Sequence, residues 1–356
     1  MNMYDPMSSP SRSTDIQEQQ QQSNDHHSYE SQRYLYQPIS SALVLGATGG
    51  TGRVIVEELL RRNIAVTAFG RSSAKLEQLS TELGHPALLQ HYTGDVFQTE
   101  DVQAAAKGVE VIFQCAAVPY HEMNDRQLPL ALSVLQAAEK MGIKVVVVDG
   151  IYPYSIRSGN EPIDENYPKH PPTVKGRTKL ALEQSIFHAR WQSLQAMIVR
   201  LPDYYGPSAN QATYLFSTLQ SIANGKTAIF IGNTHIAREY VYLPDAAQMI
   251  VELACREQAY GQNWHIPSAG PIHGKALIDL AREAAAQGNK PVIPLGKWSL
   301  RLLGTFVPVM KEIVEMLYLT EKPLLLSGRK YEQYVGDIPR TSYKDGIAIT
   351  IQHLQR

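Results

Sequence analysis

Cysteine, long apolar runs and net charge are all scarce in this 356-residue sequence. Its two cysteines, Cys115 and Cys255, can build neither a disulfide framework nor a Cys-rich zinc site, and so few suit a reducing cytoplasm. No apolar run approaches the roughly 18 residues of a membrane-spanning helix, and the N-terminus lacks the apolar core of a secretory signal. With 33 basic and 34 acidic residues, the chain lacks a positive field that would steer it to nucleic acid. We therefore expect a cytoplasmic protein that binds no nucleic acid, membrane or metal.

The first 40 residues are also poor in material for a core. From the Ile, Leu and Val class they contain only Ile16, Leu35 and Ile39, and a glutamine-rich run occupies positions 17–22. Such a segment buries too little apolar surface to offset the entropy lost on ordering. We predict a disordered, Gln-rich tail over residues 1–40, which is either a solvated extension or a docking segment for a partner.

From residue 41 the pattern changes to short apolar strands separated by segments of helical spacing. The clearest apolar runs are 42–45, 64–69, 109–115 and 143–148. Buried strands that alternate with helices predict an α/β fold with a Rossmann-like, doubly wound parallel sheet. We expect this sheet domain over residues 41–206. A smaller, mainly helical lobe is expected over 207–356, with one strand near 262–267 returning to the sheet.

A glycine-rich turn joins the first predicted strand to the first helix. It reads Gly46-Ala47-Thr48-Gly49-Gly50-Thr51-Gly52. Gly46 can turn tightly, Gly49 lets the backbone approach a pyrophosphate, and Gly52 permits close packing of the helix. The free N–H groups at the start of the helix then face an anion. No Lys-Ser/Thr pair follows the glycines, which argues against a P-loop, so we expect the sheet domain to bind a dinucleotide.

The Gly-x-x-Gly-x-x-Gly spacing and the segments after it resemble the short-chain dehydrogenase/reductase superfamily. The segments are Thr93-Gly94-Asp95-Val96, Cys115-Ala116-Ala117, Val199-Arg200-Leu201-Pro202-Asp203-Tyr204-Tyr205-Gly206-Pro207 and Arg238-Glu239-Tyr240-Val241-Tyr242-Leu243-Pro244-Asp245. The last two resemble the extended branch, the NAD-dependent epimerase/dehydratase proteins. The resemblance spans about residues 41–350 and implies an oxidoreductase, epimerase or dehydratase in which Asp95 contacts the adenine.

The end of the second strand bears on the choice of cofactor. It reads Phe69-Gly70-Arg71-Ser72, with no acidic residue to accept hydrogen bonds from a ribose 2′-hydroxyl. We therefore predict NADP in preference to NAD, with Arg71 and Arg53 pairing with the 2′-phosphate. With the positions that the resemblance implies, the predicted cofactor-binding residues are Gly46, Thr48, Gly49, Gly50, Thr51, Gly52, Arg53, Arg71, Asp95, Val96, Ala116, Ala117 and Lys179.

The catalytic segment departs from the pattern of the resembled family. That family carries Tyr-x-x-x-Lys on one helix face, and here Lys179 falls on the family lysine, which contacts the nicotinamide ribose, while Lys175 falls on the tyrosine. The family serine after the preceding strand is missing as well. Lys175 is either a proton donor or acceptor, with a pKa lowered by burial near Lys179, or an anion-binding or solvated residue. Tyr152 and Tyr154 are alternative sources of a hydroxyl. The predicted catalytic residues are Lys175, Lys179 and Tyr154.

Two functions from different classes remain open at this point. The first is an NADP-dependent oxidoreductase or epimerase/dehydratase acting on a small polar carbonyl or sugar-derived substrate, with Tyr204, Tyr205 and Arg238 in the substrate wall and a homodimer as one expected state. The second is a non-catalytic NADP-sensing protein with a regulatory partner. The missing Ser and Tyr favour the second, and the intact second lobe favours the first. The Lys-for-Tyr pattern and the closing segment 315–318 (Glu-Met-Leu-Tyr) resemble a bacterial subgroup of the family.

Overall fold

The N-terminal boundary of the folded domain lies earlier than the sequence predicts. The computed structural model describes residues 33–211, 213–287, 290–303 and 314–356, so residues 1–32 of the predicted tail lie outside the described residues. The Tyr34 ring stacks on Tyr334 with centroids 4.9 Å apart, and the Tyr34 N–H donates to the Tyr334 carbonyl at 2.7 Å. Ile39 is buried. The prediction of disorder to residue 40 is therefore wrong for residues 33–40, because Tyr34 and Ile39 find apolar partners far along the chain.

A seven-stranded parallel sheet forms the centre of the protein. In chain order, the strands of this sheet and of the smaller sheets are β1 (Ser41–Leu45), β2 (Ala65–Gly70), β3 (Leu89–Thr93), β4 (Val111–Gln114), β5 (Lys144–Gly150), β6 (Ala196–Leu201), β7 (Asp203–Tyr205), β8 (Ala228–Ile231), β9 (Ala237–Tyr242), β10 (Asn263–His265), β11 (Pro271–His273) and β12 (Val292–Leu295). The central sheet has the order β10-β6-β5-β4-β1-β2-β3, and its neighbours all pair in parallel. The predicted α/β fold with a doubly wound parallel sheet is confirmed. Because the strand order reverses between β1 and β4, a crevice opens there at the carboxyl ends.

Helices cover both faces of this sheet. In chain order, the helices of the described residues, including those of the second lobe, are α1 (Gly50–Arg61), α2 (Ser73–Glu82), α3 (Thr99–Ala105), α4 (Met123–Met141), α5 (Val174–Ile186), α6 (Tyr214–Ala223), α7 (Leu243–Ala254), α8 (Gly274–Ala285), α9 (Lys297–Leu303), α10 (Tyr318–Glu321), α11 (Arg329–Tyr334) and α12 (Tyr343–Leu354). Ala42 and Val44 of β1 pack into the core beneath α1 and α7, whereas Leu43 and Leu45 pack into the core beneath α4 and α5. This alternation is what a strand buried on both faces requires. Among the described helices, none has the length and apolar character needed to cross a membrane.

Smaller sheets and helices build the second lobe. β7 follows β6 directly, leaves the central sheet and pairs in parallel with β9, which also pairs antiparallel with β11. β8 and β12 form a separate parallel pair. Side chains from α6, β8, β9, α8 and α12 share one apolar core. The strand β10 pairs with β6, so residues 263–265 lie in the central sheet between two segments of this lobe.

The carboxylate of Asp245 in α7 fastens a C-terminal segment to the fold. Its two oxygens accept hydrogen bonds from the backbone N–H and the hydroxyl of Thr341, at 2.6 and 2.7 Å. Asp245 is buried, so Asp245→Ala leaves this N–H without a partner in a dry environment. We expect the variant to lower the free energy of unfolding by about 2–3 kcal/mol in urea denaturation. The exposed Asp337 gives the matched control, Asp337→Ala, which should stay within about 0.5 kcal/mol of wild type. Equal losses in the two variants would contradict this role of Asp245.

Candidate active site

The turn between β1 and α1 approaches its neighbours so closely that glycine is required. Gly46 has a φ of +77°, and a Cβ there would lie 2.7 Å from the backbone of Ala116. A Cβ at Gly52 would collide with the carbonyl of Gly46. Neither position accepts a side chain without moving backbone. The predicted residues Gly46, Gly52 and Ala116 are therefore in contact at the carboxyl ends of β1 and β4.

The N-terminus of α1 is open for an anion. Gly49 precedes the helix with no side-chain cap, and the first turn holds no acidic residue. The N–H groups of such a first turn have no partner within the helix. The segment after β7 crosses beside this turn, because a Cβ at Gly50 would lie 2.8 Å from the Ser208 carbonyl. Burial raises the pKa of Tyr204, and the nearby Thr51 side chain opposes this shift, so the predicted Thr48 to Thr51 segment lies between the sheet and the second lobe. This arrangement fits the pyrophosphate of a dinucleotide.

The two predicted arginines differ in their surroundings. Arg71 follows β2 directly and is exposed, and among the described residues it forms no ion pair. Arg53 Nε lies 2.9 Å from Glu57 Oε1, and the same guanidinium also pairs with Glu82. Arg71 is thus available to a ligand phosphate at the end of β2, whereas Arg53 is held by two carboxylates.

The predicted adenine-side residues line the ends of β3 and β4. Asp95 follows β3, is half-buried, and accepts the backbone N–H of Phe97 at 3.1 Å with its Oδ1. Val96 is buried, and Ala117 is exposed. The Gln114 side-chain amide stabilises the turn after β4 by donating to the Ala116 carbonyl at 2.9 Å. Asp95 and Val96 thus follow the edge strand β3, whereas Ala116 and Ala117 follow β4, which borders the crevice.

Lys179 is held by a buried network of charges that sequence reasoning did not identify. Its Nζ lies 2.6 Å from Asp149 Oδ1, and Asp149 Oδ2 lies 3.0 Å from Arg200 Nη1. Arg200 is fully buried, and its Nη2 lies 2.5 Å from Glu183 Oε2. Lys169 Nζ meets the other oxygen of Glu183 at 2.5 Å. The Lys179 ammonium therefore has a fixed position at the carboxyl end of β5.

Lys175 lies on the same face of α5 as Lys179 and contacts a residue 140 positions further along the sequence. Its side chain is 1% exposed, and its Nζ lies 2.9 Å from Glu315 Oε2. The other Glu315 oxygen accepts the Lys175 backbone N–H at 3.2 Å. Burial raises the pKa of Glu315, but hydrogen bonds from the side chain and backbone of Lys175 outweigh it and lower the pKa. Glu315 thus holds both the side chain and the backbone N–H of Lys175 at the start of α5.

The two tyrosines after β5 face different surroundings. Tyr154 is fully buried, and its hydroxyl lies 2.6 Å from Nε2 of His265. Burial and the nearby Arg200 lower the pKa of His265 to about 3, so the ring is neutral. Tyr152, in contrast, is half-exposed. The structure thus places the predicted catalytic residue Tyr154 in the core and leaves Tyr152 partly exposed.

A cluster of hydroxyls around Tyr152 was also missed by sequence reasoning. The hydroxyls of Tyr120, Tyr152 and Tyr214 are close enough to shift one another's pKa, and burial is the main reason that all three values are raised, that of Tyr214 to about 12. The Tyr120 hydroxyl is buried and, among the described residues, makes no hydrogen bond of standard geometry. Asp203 is solvent-accessible, yet desolvation by surrounding protein raises its pKa. No local pattern marks these residues, because they come from four separate segments.

The structure brings only some of the residues predicted for the substrate wall to this crevice. Tyr204 is half-buried beside the glycine turn. Tyr205 points the other way along β7 and stacks on Tyr343 inside the second lobe, with ring centroids 5.8 Å apart. Arg238 is 6% exposed, lies over the Phe230 ring at 4.9 Å and donates to a backbone carbonyl. The structure therefore corrects the prediction for Tyr205, because neighbouring residues of a strand face opposite sides.

The fold and the crevice can now be compared with known proteins. The model of the NAD dependent epimerase/dehydratase family matches residues 42–266. The chain belongs to this family. The predicted superfamily is thereby confirmed. The Lys-for-Tyr subgroup stays a prediction.

Individual relatives are distant. The chain is 23% identical over 249 residues to the Homo sapiens sterol-4-alpha-carboxylate 3-dehydrogenase, decarboxylating, covering 64% of this chain and 62% of that protein. It therefore spans less than two thirds of this relative's length. It is 24% identical over 334 residues to YtcB of Bacillus subtilis (strain 168), described as an uncharacterized UDP-glucose epimerase, covering 88% of this chain and 97% of that protein.

Solved structures share the fold over most of the chain. The UDP-glucuronic acid 4-epimerase of Bacillus cereus in complex with NAD has a TM-score of 0.72 and 17% identity, covering 89% of this chain and 100% of that one. The UDP-glucose 4-epimerase of Thermotoga maritima with UDP-glucose has a TM-score of 0.70 and 19% identity, covering 88% and 98%. At these identities the likeness establishes the fold alone.

The Lys175–Glu315 pair predicts a pH-dependent stability. A carboxylate whose pKa is lowered by folding stabilises the protein above the pKa of the unfolded chain, and this contribution is lost as the pH falls through the folded value. We expect Glu315→Gln to lower the free energy of unfolding by about 2 kcal/mol at neutral pH, and the difference from wild type to shrink below about pH 4. Denaturant unfolding across this pH range measures it. Glu321→Gln, whose Lys297 partner is 3.9 Å away and exposed, is the matched control and should change little. A pH-independent difference for Glu315→Gln would argue against the ion pair.

Proposed function

We propose that the protein is an NADP-dependent oxidoreductase or epimerase/dehydratase acting on a small polar carbonyl or sugar-derived substrate. The observation that supports NADP is the exposed Arg71 at the end of β2, without an ion-pair partner among the described residues, beside an α1 N-terminus that has no acidic residue in its first turn. An anion of two phosphates and a third phosphate on the ribose would find donors at both places. Cytoplasmic location and homodimer formation stay predictions.

The residues divide between binding and chemistry. Gly46, Gly49 and Gly52 would let the backbone approach the pyrophosphate, Arg71 would bind the 2′-phosphate, and the turn holding Asp95 would border the adenine. Lys179, fixed by Asp149, would hold the nicotinamide ribose. The dinucleotide, when bound, supplies or accepts the hydride. The chain orients the substrate against it, excludes water and handles the proton. Lys175 supplies a fixed positive charge near the crevice in this proposal, because Glu315 holds it.

One observation favours the second candidate function, a non-catalytic NADP-sensing protein. The position of the expected proton donor is occupied by the paired Lys175, which is 1% exposed. Turnover separates the two functions: purified protein is incubated with NADPH and a panel of aldehydes, ketoses and nucleotide sugars. Oxidation of NADPH, or conversion of a nucleotide sugar to an epimer or a dehydration product without net consumption of the dinucleotide, supports the enzyme. A rise in melting temperature with NADPH, with neither NADPH oxidised nor any substrate converted, supports the sensor.

The role of Arg71 predicts a change in cofactor preference. Loss of a charge-assisted contact should weaken NADPH binding in Arg71→Ala by roughly 10- to 100-fold, with NADH affinity unchanged. Titration calorimetry with both nucleotides measures this. Arg61→Ala is the matched control, since Arg61 is 65% exposed at the other end of α1 and pairs with Glu58. Equal losses for NADPH and NADH in Arg71→Ala would remove Arg71 from the 2′-phosphate site and leave NADP unsupported.

A further inference from the structure

A polar cavity of about 590 Å³ lies beside β10, apart from the crevice. Its lining comes from the segment 161–166 between β5 and α5, from the segment 327–334 around α11, and from Tyr34 and Gln262. β10 is an edge strand, and β6 and β5 lie between it and β4. This cavity, which we call the edge cleft, therefore belongs to a different part of the sheet than the glycine turn. Its volume is in the range of small-molecule sites.

Two charged side chains of the edge cleft cap the outer side of β10. The strand pairs with β6 on one side, and its other side has no neighbouring strand in the described sheet, so the outward N–H and C=O groups need other partners. Glu165 Oε1 accepts the backbone N–H of His265 at 3.0 Å. Lys330 Nζ donates to the Asn263 carbonyl at 2.6 Å. An uncharged amide could make either hydrogen bond, so the edge alone does not require the two charges.

Both charges are desolvated without an opposite charge in contact. Glu165 is 8% exposed, and no lysine or arginine of the described residues forms an ion pair with it. Lys330 Nζ lies 4.2 Å from the centroid of the Trp264 ring, and within the described part of the chain no carboxylate is at ion-pair distance from it. Burial raises the pKa of Glu165 and lowers the pKa of Lys330. A buried carboxylate and a buried ammonium thus line one cavity, and each lacks a counter-charge.

The remaining charges of the edge cleft define what would complement it. The carboxylates of Glu161, Asp164 and Glu165 all come from the segment before α5, whereas the cations of Arg329 and Lys330 come from α11. Three carboxylates against two cations leave a net charge of −1. A complementary ligand carries one carboxylate for the cations and two cationic groups for the carboxylates, which is the charge pattern of a basic amino acid.

We propose that the edge cleft is a second ligand site, which binds a free basic amino acid such as L-arginine. The ligand carboxylate binds Lys330 and Arg329, and its cationic groups bind the carboxylates of the segment 161–165. The Tyr34 ring, stacked on Tyr334 with centroids 4.9 Å apart, lines the same cavity and offers an aromatic surface to the ligand side chain. This site is independent of the reaction proposed for the crevice.

Titration calorimetry of the full chain with arginine and two analogues tests the ligand chemistry. L-Arginine should bind with a dissociation constant below about 10 mM. L-Citrulline, which has a neutral group in place of the guanidinium, and agmatine, which lacks the carboxylate, should each bind about 10-fold more weakly or worse. Absence of L-arginine binding, or equal affinity for either analogue, would overturn the proposal.

Variants that remove charge but keep the edge hydrogen bonds test the placement. Glu165→Gln retains an acceptor for the His265 N–H, and Lys330→Gln retains a donor for the Asn263 carbonyl, so a purely structural role predicts wild-type behaviour. Each variant should instead weaken L-arginine binding by about 10- to 100-fold, with an unchanged circular dichroism spectrum. Glu332→Gln, exposed on the same helix as Lys330, is the matched control and should bind as wild type does. Wild-type affinity in either cleft variant would overturn the site.

NMR of the wild-type protein locates the ligand without any variant. Because the His265 N–H donates to Glu165, its amide resonance should shift as L-arginine is added. The amide of Gly46, in the glycine turn, should not respond. An unmoved His265 resonance at saturating L-arginine would place the ligand elsewhere and overturn the proposal.

Discussion

The buried guanidinium of Arg200 is the constraint on which the site depends. A fully desolvated charge is tolerated only if carboxylates and carbonyls surround it. Arg200 therefore draws Asp149 from β5 and Glu183 from α5 onto β6. This fixes the position of α5 on the sheet, and the second oxygen of Asp149 is then in place to hold Lys179. The orientation of α5 on the sheet is thus set by charge pairing below it as well as by the apolar packing of Leu182 and Ile186.

The crevice is closed from the other side by the strand that follows. β7 leaves the sheet immediately after β6 and pairs with β9 of the second lobe, so Asp203 and Tyr204 cross over the crevice. The Ser208 carbonyl then packs on Gly50. The glycine turn is consequently shaped by the segment after β7 as well as by β1 and β4.

The fold and the cofactor end could be predicted from sequence because their signals are local. A strand buried on both faces is apolar throughout, as in β6, and a turn that admits no Cβ must use glycine, as at Gly46 and Gly52. The catalytic end could not be predicted in the same way. Tyr152 and Tyr154 are two residues apart, yet Tyr152 is partly exposed and Tyr154 is fully buried against His265, 111 residues further along. The partner of Lys175 is equally remote. Such choices depend on which distant segments pack together, and a single sequence does not record that.

The lysine at the family's tyrosine position is therefore better understood together with Glu315 than alone. An unpaired ammonium at a site 1% exposed would be strongly destabilising, so the lysine and the carboxylate are needed together. The pair also joins the first turn of α5 to the segment before α10, which closes this end of the crevice. The departure from the family motif is thus accommodated in this structure by Glu315, 140 residues further along the chain.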